Sequence, residues 1–490
     1  MMALGEIMNG IDTVGALPAT DIAGLTHDSR RVAPGYLFVA LPGEHVQGTD
    51  FVPQAVQNGA VAVAGPARWR GGTGLTGPDG TQPLPYLGLD DLPAAFSRMA
   101  ANYYRHPSRQ LAVVGITGTN GKTTTAELLS AILNAHRQPT ATLGTLGLRW
   151  NGTREAVGFT TPEADTLHKL FAGLIDKGIQ GVVMEVSSHA LKQARVDHVQ
   201  FDAAVLTNFT QDHLDYHHDL KDYLAAKLRL FQLLPPGRPA IINGDDPHAE
   251  AFLQAAPGPS VTYGHGEGND LRAADVGLSL KVTVAKLLYR DEVIAIESRL
   301  VGAYNLQNIM AAVATALALD VPPDAIREGI ANVTAVAGRL EAIPSLAPGN
   351  VFIDYAHTPD AYAQVLSTLR QLLPGTTRLV VLFGAGGDRD RSKRPLMAAQ
   401  AETYADELII TSDNPRTEPL EQINAEIVKG LRKANHVVIS DRREALLHAL
   451  AGMTDGSLLL ILGKGREDYE IIGTEKVDHN DVEIVAAYQP

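Results

Sequence analysis

Two hydrophobic rhythms run through the chain: short, nearly unbroken apolar runs, and longer stretches in which apolar positions recur every three or four residues. From residue 111 onward they alternate. Runs at 111–114, 181–186, 203–206 and 239–242 read as strands buried on both faces, and the stretches 165–177, 221–234 and 304–319 as helices packed on them. A second series follows near Ala337, with strands expected at 351–354, 378–383, 407–411, 436–439 and 457–462 and helices at 359–373, 395–404, 420–431 and 443–451. Before residue 108 the pattern is smaller: a strand at 36–41, a helix then a strand over 50–64, a Gly- and Pro-rich loop at 65–85 and a helix at 92–104. Alternation of this kind predicts an α/β protein with largely parallel sheets. In 490 residues it predicts three domains, 1–108, 109–336 and 337–490.

The stretch LAVVGITGTNGKTTT, 111–125, joins the first central strand to a helix opening at Lys122. A glycine-rich turn between strand and helix presents backbone N–H groups to a polyphosphate, to which Lys122 adds charge and a Thr hydroxyl a site for Mg²⁺. The spacing is one residue longer than the common form, since Ile116 stands where the first glycine belongs and the glycine is Gly115. The loop is therefore expected to span 115–121.

Composition narrows the possibilities. An excess of 55 acidic over 41 basic residues, net −14, argues against a general nucleic-acid surface. The absence of cysteine excludes disulfides and thiolate chemistry. No basic segment followed by an apolar run opens the chain, and no 18-residue apolar stretch occurs, so a cytoplasmic enzyme that does not insert into membranes is expected.

Ligands of open α/β sheets bind beyond the carboxyl ends of the strands, where this chain is polar. Glu185 ends one strand and begins EVSSH; NFTQDHLDYHH, 208–218, follows the next. The histidines and aspartates of the second cluster suggest zinc, but hard Mg²⁺ beside phosphates favours oxygen ligands and ranks first. Lys227 lies among Ala and Leu, where it either reaches out to water or is buried and activated. Asn305 and Asn308 share a helix face, suited to capping or to a base or ribose. Three polar loops follow strands of the last series: 384–394 with four basic residues, Asp413 to Arg416, and 463–468. Together they suit a ligand with both carboxylates and an amine.

The motifs GTNGKTTT, EVSSHAL, TNFTQDHLDYH, YNLQNIMAA, GRLE and DYAHTPD occur in an order that resembles the Mur ligase family over nearly the whole chain. The resemblance implies a central P-loop-type domain, a small N-terminal domain for a uridine nucleotide and a Rossmann-like C-terminal domain for an amino acid. It also implies ATP-driven amide formation with Mg²⁺ in a monomer. The N-terminal DSR, FTTPEA, GGDRD, DNPR and GKGREDYE resemble the branch that adds a diamino acid to UDP-N-acetylmuramoyl-L-alanyl-D-glutamate.

By that resemblance Gly118, Thr119, Asn120, Gly121, Lys122, Thr123 and Thr124 would hold ATP phosphates, with Asn305, Asn308, Arg339 and Asp354 about the rest of the nucleotide. Thr123, Glu185, His213 and a carbamylated Lys227 would serve the metals, and Lys122, Glu185, His213 and Lys227 the chemistry. Ser29, Glu44, His45 and Val46 would meet the uridine nucleotide, and Thr160, Thr161, Ser187, Gln193 and Arg195 the muramoyl dipeptide. Arg389, Asp413, Asn414, Pro415, Arg416, Gly463 and Glu467 would form the amino-acid pocket. Arg416 in DNPR points to meso-2,6-diaminopimelate. Arg466 in place of the commoner His, and TEPLEQ after the motif, leave lysine or ornithine open. A folylpolyglutamate-type ligase or a non-catalytic ATP switch is a more distant alternative.

Overall fold

A computed structural model describes residues 1–12, 17–43, 46–69, 71, 74–77 and 80–489. Three sheets carry the fold. The central one has eleven strands in the order Thr153–Glu155, Gly147–Trp150, Thr140–Gly144, Gly181–Glu185, Ala112–Thr117, Ala203–Leu206, Ala240–Asn243, Ser260–Gly264, Leu271–Leu278, Thr283–Tyr289 and Glu292–Ser298. Its middle is parallel and both margins are antiparallel.

Ala112–Thr117 lies at the heart of this sheet and is covered on both sides. Val114 and Ile116 face a core with the helices Lys122–Ala135, Ala303–Ala318 and Pro323–Asn332. Val113 faces a second core with Ala164–Asp176 and Leu220–Gln232. This two-sided burial is why the strand reads as a continuous apolar run. The strand reaches three residues beyond the expected 114, pairing Ile116 with both Glu185 and Val205. Gly115 is consequently a strand residue and not part of the loop: a Cβ there would come within 2.8 Å of Phe201 and 3.0 Å of Leu230. The loop proper is 118–121, and the long spacing of the motif reflects packing beneath the sheet.

The C-terminal sheet runs Glu341–Ile343, Asn350–Asp354, Ser457–Leu462, Arg378–Phe383, Glu407–Ile410, His436–Val438, parallel except for the first strand. Leu379, Val381 and Phe383 face one core and Val380 and Leu382 the other. The N-terminal sheet has four parallel strands, Gly24–Thr26, Tyr36–Val39, Ala60–Pro66 and Tyr86–Leu89, with Leu92–Tyr103 packed on it. A separate hairpin, Tyr469–Ile472 with Glu475–Asp478, follows the last sheet strand. No described helix is long and apolar enough to cross a membrane.

Candidate active site

The 118–121 loop is fastened to the end of the neighbouring strand. Thr119 N donates to Asn208 O (2.9 Å), Asn120 N to Asn208 Oδ1 (2.9 Å), Thr119 Oγ1 to Thr210 O (3.0 Å) and Thr207 Oγ1 to Asn120 O (2.6 Å). Gly121, at φ +86°, caps the helix Lys122–Ala135, and a Cβ there would lie 2.3 Å from Asn308 Oδ1. Only glycine meets both demands without strain. Lys122 curls back on its own loop, donating to Gly118 O (2.8 Å) and Thr119 O (2.9 Å). Thr124 is buried in the first helical turn.

Thr123 Oγ1 donates to Glu185 Oε1 (2.9 Å), an oxygen that also accepts from Thr145 N (2.9 Å). Glu185 is buried, held by neutral donors and forms no ion pair among the described residues. A dry carboxylate beside a hydroxyl, at the mouth of an anion-binding loop, suits a hard divalent cation. The described residues contain no cluster of three or more His, Asp or Glu side chains of the kind that grips zinc.

Lys227 does not reach water. It is 1% exposed, donates to the same Gly118 O (2.9 Å) and lies 4.5 Å from the centre of the Tyr223 ring. Burial, then the nearby Lys122 charge, push its pKa well below that of a free lysine, with Asp212 opposing. His213 sits at φ +54°, its Nε2 3.5 Å from Asp212 Oδ2 and its ring 4.9 Å from that of His189. Burial drives its pKa down to about 3, so the imidazole is neutral and available as a ligand.

The residues expected at the muramoyl dipeptide come together beside Glu185. Thr161 Oγ1 donates to Glu185 O (2.9 Å) and accepts from Ser187 N (3.0 Å). Arg195 donates to Thr161 O (2.8 Å) and Gln193 Oε1 (2.6 and 2.9 Å) and pairs with Glu163 (2.7 Å); Thr160 Oγ1 lies 3.2 Å from Thr145 Oγ1. Ser29 belongs to the N-terminal unit, where its Oγ donates to Gln54 Oε1 (2.7 Å). Val46 is exposed, and Glu44 and His45 lie outside the described residues.

Four residues expected around the nucleotide divide into two pairs. Asn305 anchors to Val301 O (2.9 Å) and accepts from Asn308 (3.2 Å), which faces Gly121. Arg339 crosses from the C-terminal unit to donate to Thr123 Oγ1 (3.0 Å), so it meets the phosphate-loop threonine. Asp354 accepts from Leu340 N (2.6 Å) and Ala356 N (2.7 Å), shaping the Arg339 segment from behind; burial raises its pKa.

The three C-terminal polar loops meet at adjacent strand ends. Gly387 N donates to Asn414 O (2.9 Å), Asn414 Nδ2 to Glu467 Oε2 (3.0 Å), and Gly463, whose N–H bonds Asp354 O (3.1 Å), abuts the Asp413 carboxylate. Pro415 carries its carbonyl against Gly387. Arg416 donates to Gly387 O (2.7 Å) but forms no ion pair among the described residues, and burial plus the neighbouring Arg389 charge lower its pKa. Arg389 is 3.9 Å from Asp215 of the central unit. Arg466 turns to Glu341, away from this pocket.

Two groups gain their place only in the structure. Asp212, four per cent exposed, gathers Lys393 (3.6 Å), His357 (3.8 Å) and His213. In sequence it is one of two aspartates in the 208–218 cluster, with nothing to mark it as the point where three basic side chains meet. Thr145, which clamps Glu185 through both N and Oγ1, carries no sequence signal beyond its place after a strand.

Comparison with known proteins agrees with this arrangement. Models described as Mur ligase family, catalytic domain, Mur ligase middle domain, and Mur ligase, glutamate ligase domain match residues 21–69, 116–316 and 338–465. A Syntrophomonas wolfei protein named UDP-N-acetylmuramoyl-L-alanyl-D-glutamate–2,6-diaminopimelate ligase is 41% identical over 95% of this chain and 94% of its own. A Geobacter metallireducens protein of the same name is 42% identical, over 99% and 97%. A solved structure bearing that name superposes with a TM-score of 0.68 at 31% identity, covering 99% of this chain and 98% of the other. The chain belongs to the Mur ligase family.

Proposed function

We propose that the protein joins 2,6-diaminopimelate, in its meso form, to the D-glutamate of UDP-N-acetylmuramoyl-L-alanyl-D-glutamate at the expense of ATP, supplying a peptidoglycan precursor in the cytoplasm. The names of the full-length relatives support the substrate pair. The observation that carries the acceptor is Arg416: a half-buried guanidinium with no carboxylate within ion-pair distance among the described residues, only the more distant charges of Asp413, Glu467 and Asp388, at the strand ends that also hold Asn414 and Glu467. A second carboxylate pairs with it bidentately, while Glu467 and Asp413 suit an ammonium.

In this reading the protein acts as a monomer of three domains, 1–108, 109–336 and 337–490, which bind the uridine nucleotide, ATP and the amino acid. The D-glutamate carboxylate attacks the γ-phosphorus, the bond to ADP breaks, and an acyl phosphate forms. The acceptor amine then attacks the acyl carbon, loses a proton, and phosphate leaves. Lys122 lets go of its loop carbonyls to meet the transferring phosphoryl group, and Arg339 approaches it from the Thr123 side. Thr123 and Glu185 would hold Mg²⁺, with His213 and carbamylated Lys227 serving a second ion; bound there, the metal neutralises charge on the phosphates. Asn305 and Asn308 back the nucleotide, Thr160, Thr161, Ser187, Gln193 and Arg195 hold the dipeptide, and Ser29 with residues 44–46 the uridine end.

Phosphate release with the uridine dipeptide, ATP and either diaminopimelate, lysine or ornithine tests the proposal. Release should require both the dipeptide and an amino acid, with the highest kcat/KM for diaminopimelate. A higher value for lysine or ornithine refutes the acceptor; release without any amino acid refutes the ligase.

A further inference from the structure

We propose that the hairpin Tyr469–Ile472 with Glu475–Asp478 is a positioning element for Arg416, and that through Ile471 and Gly473 it selects an acceptor with a distal carboxylate over one without. The proposal rests on the diaminopimelate reading above and goes on to name what holds its specificity residue in place.

Arg416 has a left-handed backbone, φ +51°, which a residue with a side chain adopts only when its surroundings impose it. The surroundings here are the hairpin. Arg416 N donates to Ile471 O (2.9 Å), Arg416 O accepts from Gly473 N (2.8 Å), and Asn414 Oδ1 accepts from Ile471 N (2.8 Å). Three hydrogen bonds thus clamp the Asp413–Arg416 loop to the hairpin, two at Ile471 in its first strand and one at Gly473 in its turn. The other strand, Glu475–Asp478, is exposed throughout, and the pair forms its own two-stranded sheet. Such a pair is marginal in isolation; loop and hairpin therefore order each other.

The side chain is held less firmly than the backbone. The guanidinium bonds a single protein group closely, Gly387 O at 2.7 Å, and stands beside the like-charged Arg389. Its aim depends on where its Cα is put. Gly473 controls that position: it opens the two-residue link between the paired Ile472 and Glu475, at φ +62°, and a Cβ there would meet nothing within 4 Å. A side chain at 473 thus has room, and substitution acts through backbone conformation alone. Valine disfavours φ > 0 strongly, whereas asparagine tolerates it.

The experiment compares full-length wild type, Gly473→Val and Gly473→Asn by kcat and KM for diaminopimelate and for lysine, with amide exchange followed over 414–416 and 469–473. In Gly473→Val, KM for diaminopimelate should rise on the order of tenfold, the size of a left-handed β-branched penalty, with kcat little changed. Use of lysine, which has no group for Arg416, should change less than about twofold. Exchange over both segments should accelerate together, and Gly473→Asn should restore wild-type behaviour. Equal losses for both acceptors, or accelerated exchange at 469–473 with 414–416 unaffected, overturn the proposal. If wild type itself prefers lysine, the acceptor reading falls separately, and joint exchange of the two segments still decides whether the hairpin positions Arg416.

Discussion

Replacing Lys227 with methionine should stabilise the folded protein while abolishing its activity. Lys227 is fully enclosed, its charge lies near that of Lys122, and no carboxylate comes within ion-pair distance. Its hydrogen bond to Gly118 O contributes about 1.5–3 kcal/mol. Against this stands the desolvation of a buried ammonium, several kcal/mol even after relaxation. Gly118 O keeps its 2.8 Å bond from Lys122, so the substitution leaves no orphaned carbonyl. Methionine, unbranched and of similar length, should pack in the same buried space beside Tyr223. The balance favours the variant by about 1–2 kcal/mol, or roughly 2–8 °C in the melting of a unit of this size. The pH dependence has a definite sign. With the folded pKa depressed, the unfolded chain binds more protons between the two pKa values, so this destabilisation is full below the folded pKa and vanishes as pH rises past the unfolded one. Wild type should therefore gain stability from neutral to alkaline pH relative to Lys227→Met. Melting in CO₂-free buffer from pH 7 to 10 measures this. Added bicarbonate should stabilise only the wild type, since a carbamate turns the cation into an anion beside Lys122. A variant that melts below wild type in CO₂-free buffer across that range refutes the reasoning.

Three other substitutions address Lys227 again, the phosphate loop and a buried ion pair. Lys227→Ala should lose ligation and regain part of it with short carboxylic acids; full activity without them would reduce Lys227 to a structural residue. Gly121→Val places a side chain on Asn308 at φ +86° and should weaken ADP binding at least about tenfold by calorimetry, with the far-ultraviolet spectrum unchanged. Asp481→Asn breaks a fully buried pair with Arg442 (2.7 Å) and should cost about 3–5 kcal/mol in denaturant unfolding. Although burial opposes it, Arg442 and His479 hold the Asp481 carboxyl below the usual range. Its stabilisation is present above the unfolded carboxylate pKa and lost as pH falls through the folded one, so acid unfolding of the variant should be less steep.

Strands buried on both faces were readable because an unbroken apolar run is their only solution; 203–206, 378–383 and 457–462 were placed to the residue. Strands wet on one face are not legible in this way although their alternation is present. In Glu292–Ser298, Val293 is exposed and Ile294 fully buried, and only the packing of Ala303–Ala318 and Pro323–Asn332 makes that alternation meaningful. Gly115 reads as part of the loop because a glycine before a phosphate loop and a glycine beneath Phe201 look alike in sequence. The clusters at Glu185, His213 and the three C-terminal loops were visible from residue type and strand position. The burial of Lys227 was not, since an Ala- and Leu-rich helix surrounds a snorkelling lysine equally well. Nor was the turning of Arg466 to Glu341, which needs the loops placed in space.

The ties between the central and C-terminal units have a kinetic consequence. Arg339 bonds the Thr123 hydroxyl, Asn120 Nδ2 donates to Asp360 (3.1 Å), and Lys393 and Arg389 reach Asp212 and Asp215. The first two contacts engage Thr123 and Asn120, which the proposed function assigns to the nucleotide phosphates, so in that reading the form with these contacts made competes with nucleotide entry. Apparent affinity is then the intrinsic affinity scaled by the open fraction. On the proposed mechanism Asp360→Ala should accordingly load ATP faster yet turn over more slowly, since the contact that would delay entry would also help keep water from the acyl phosphate.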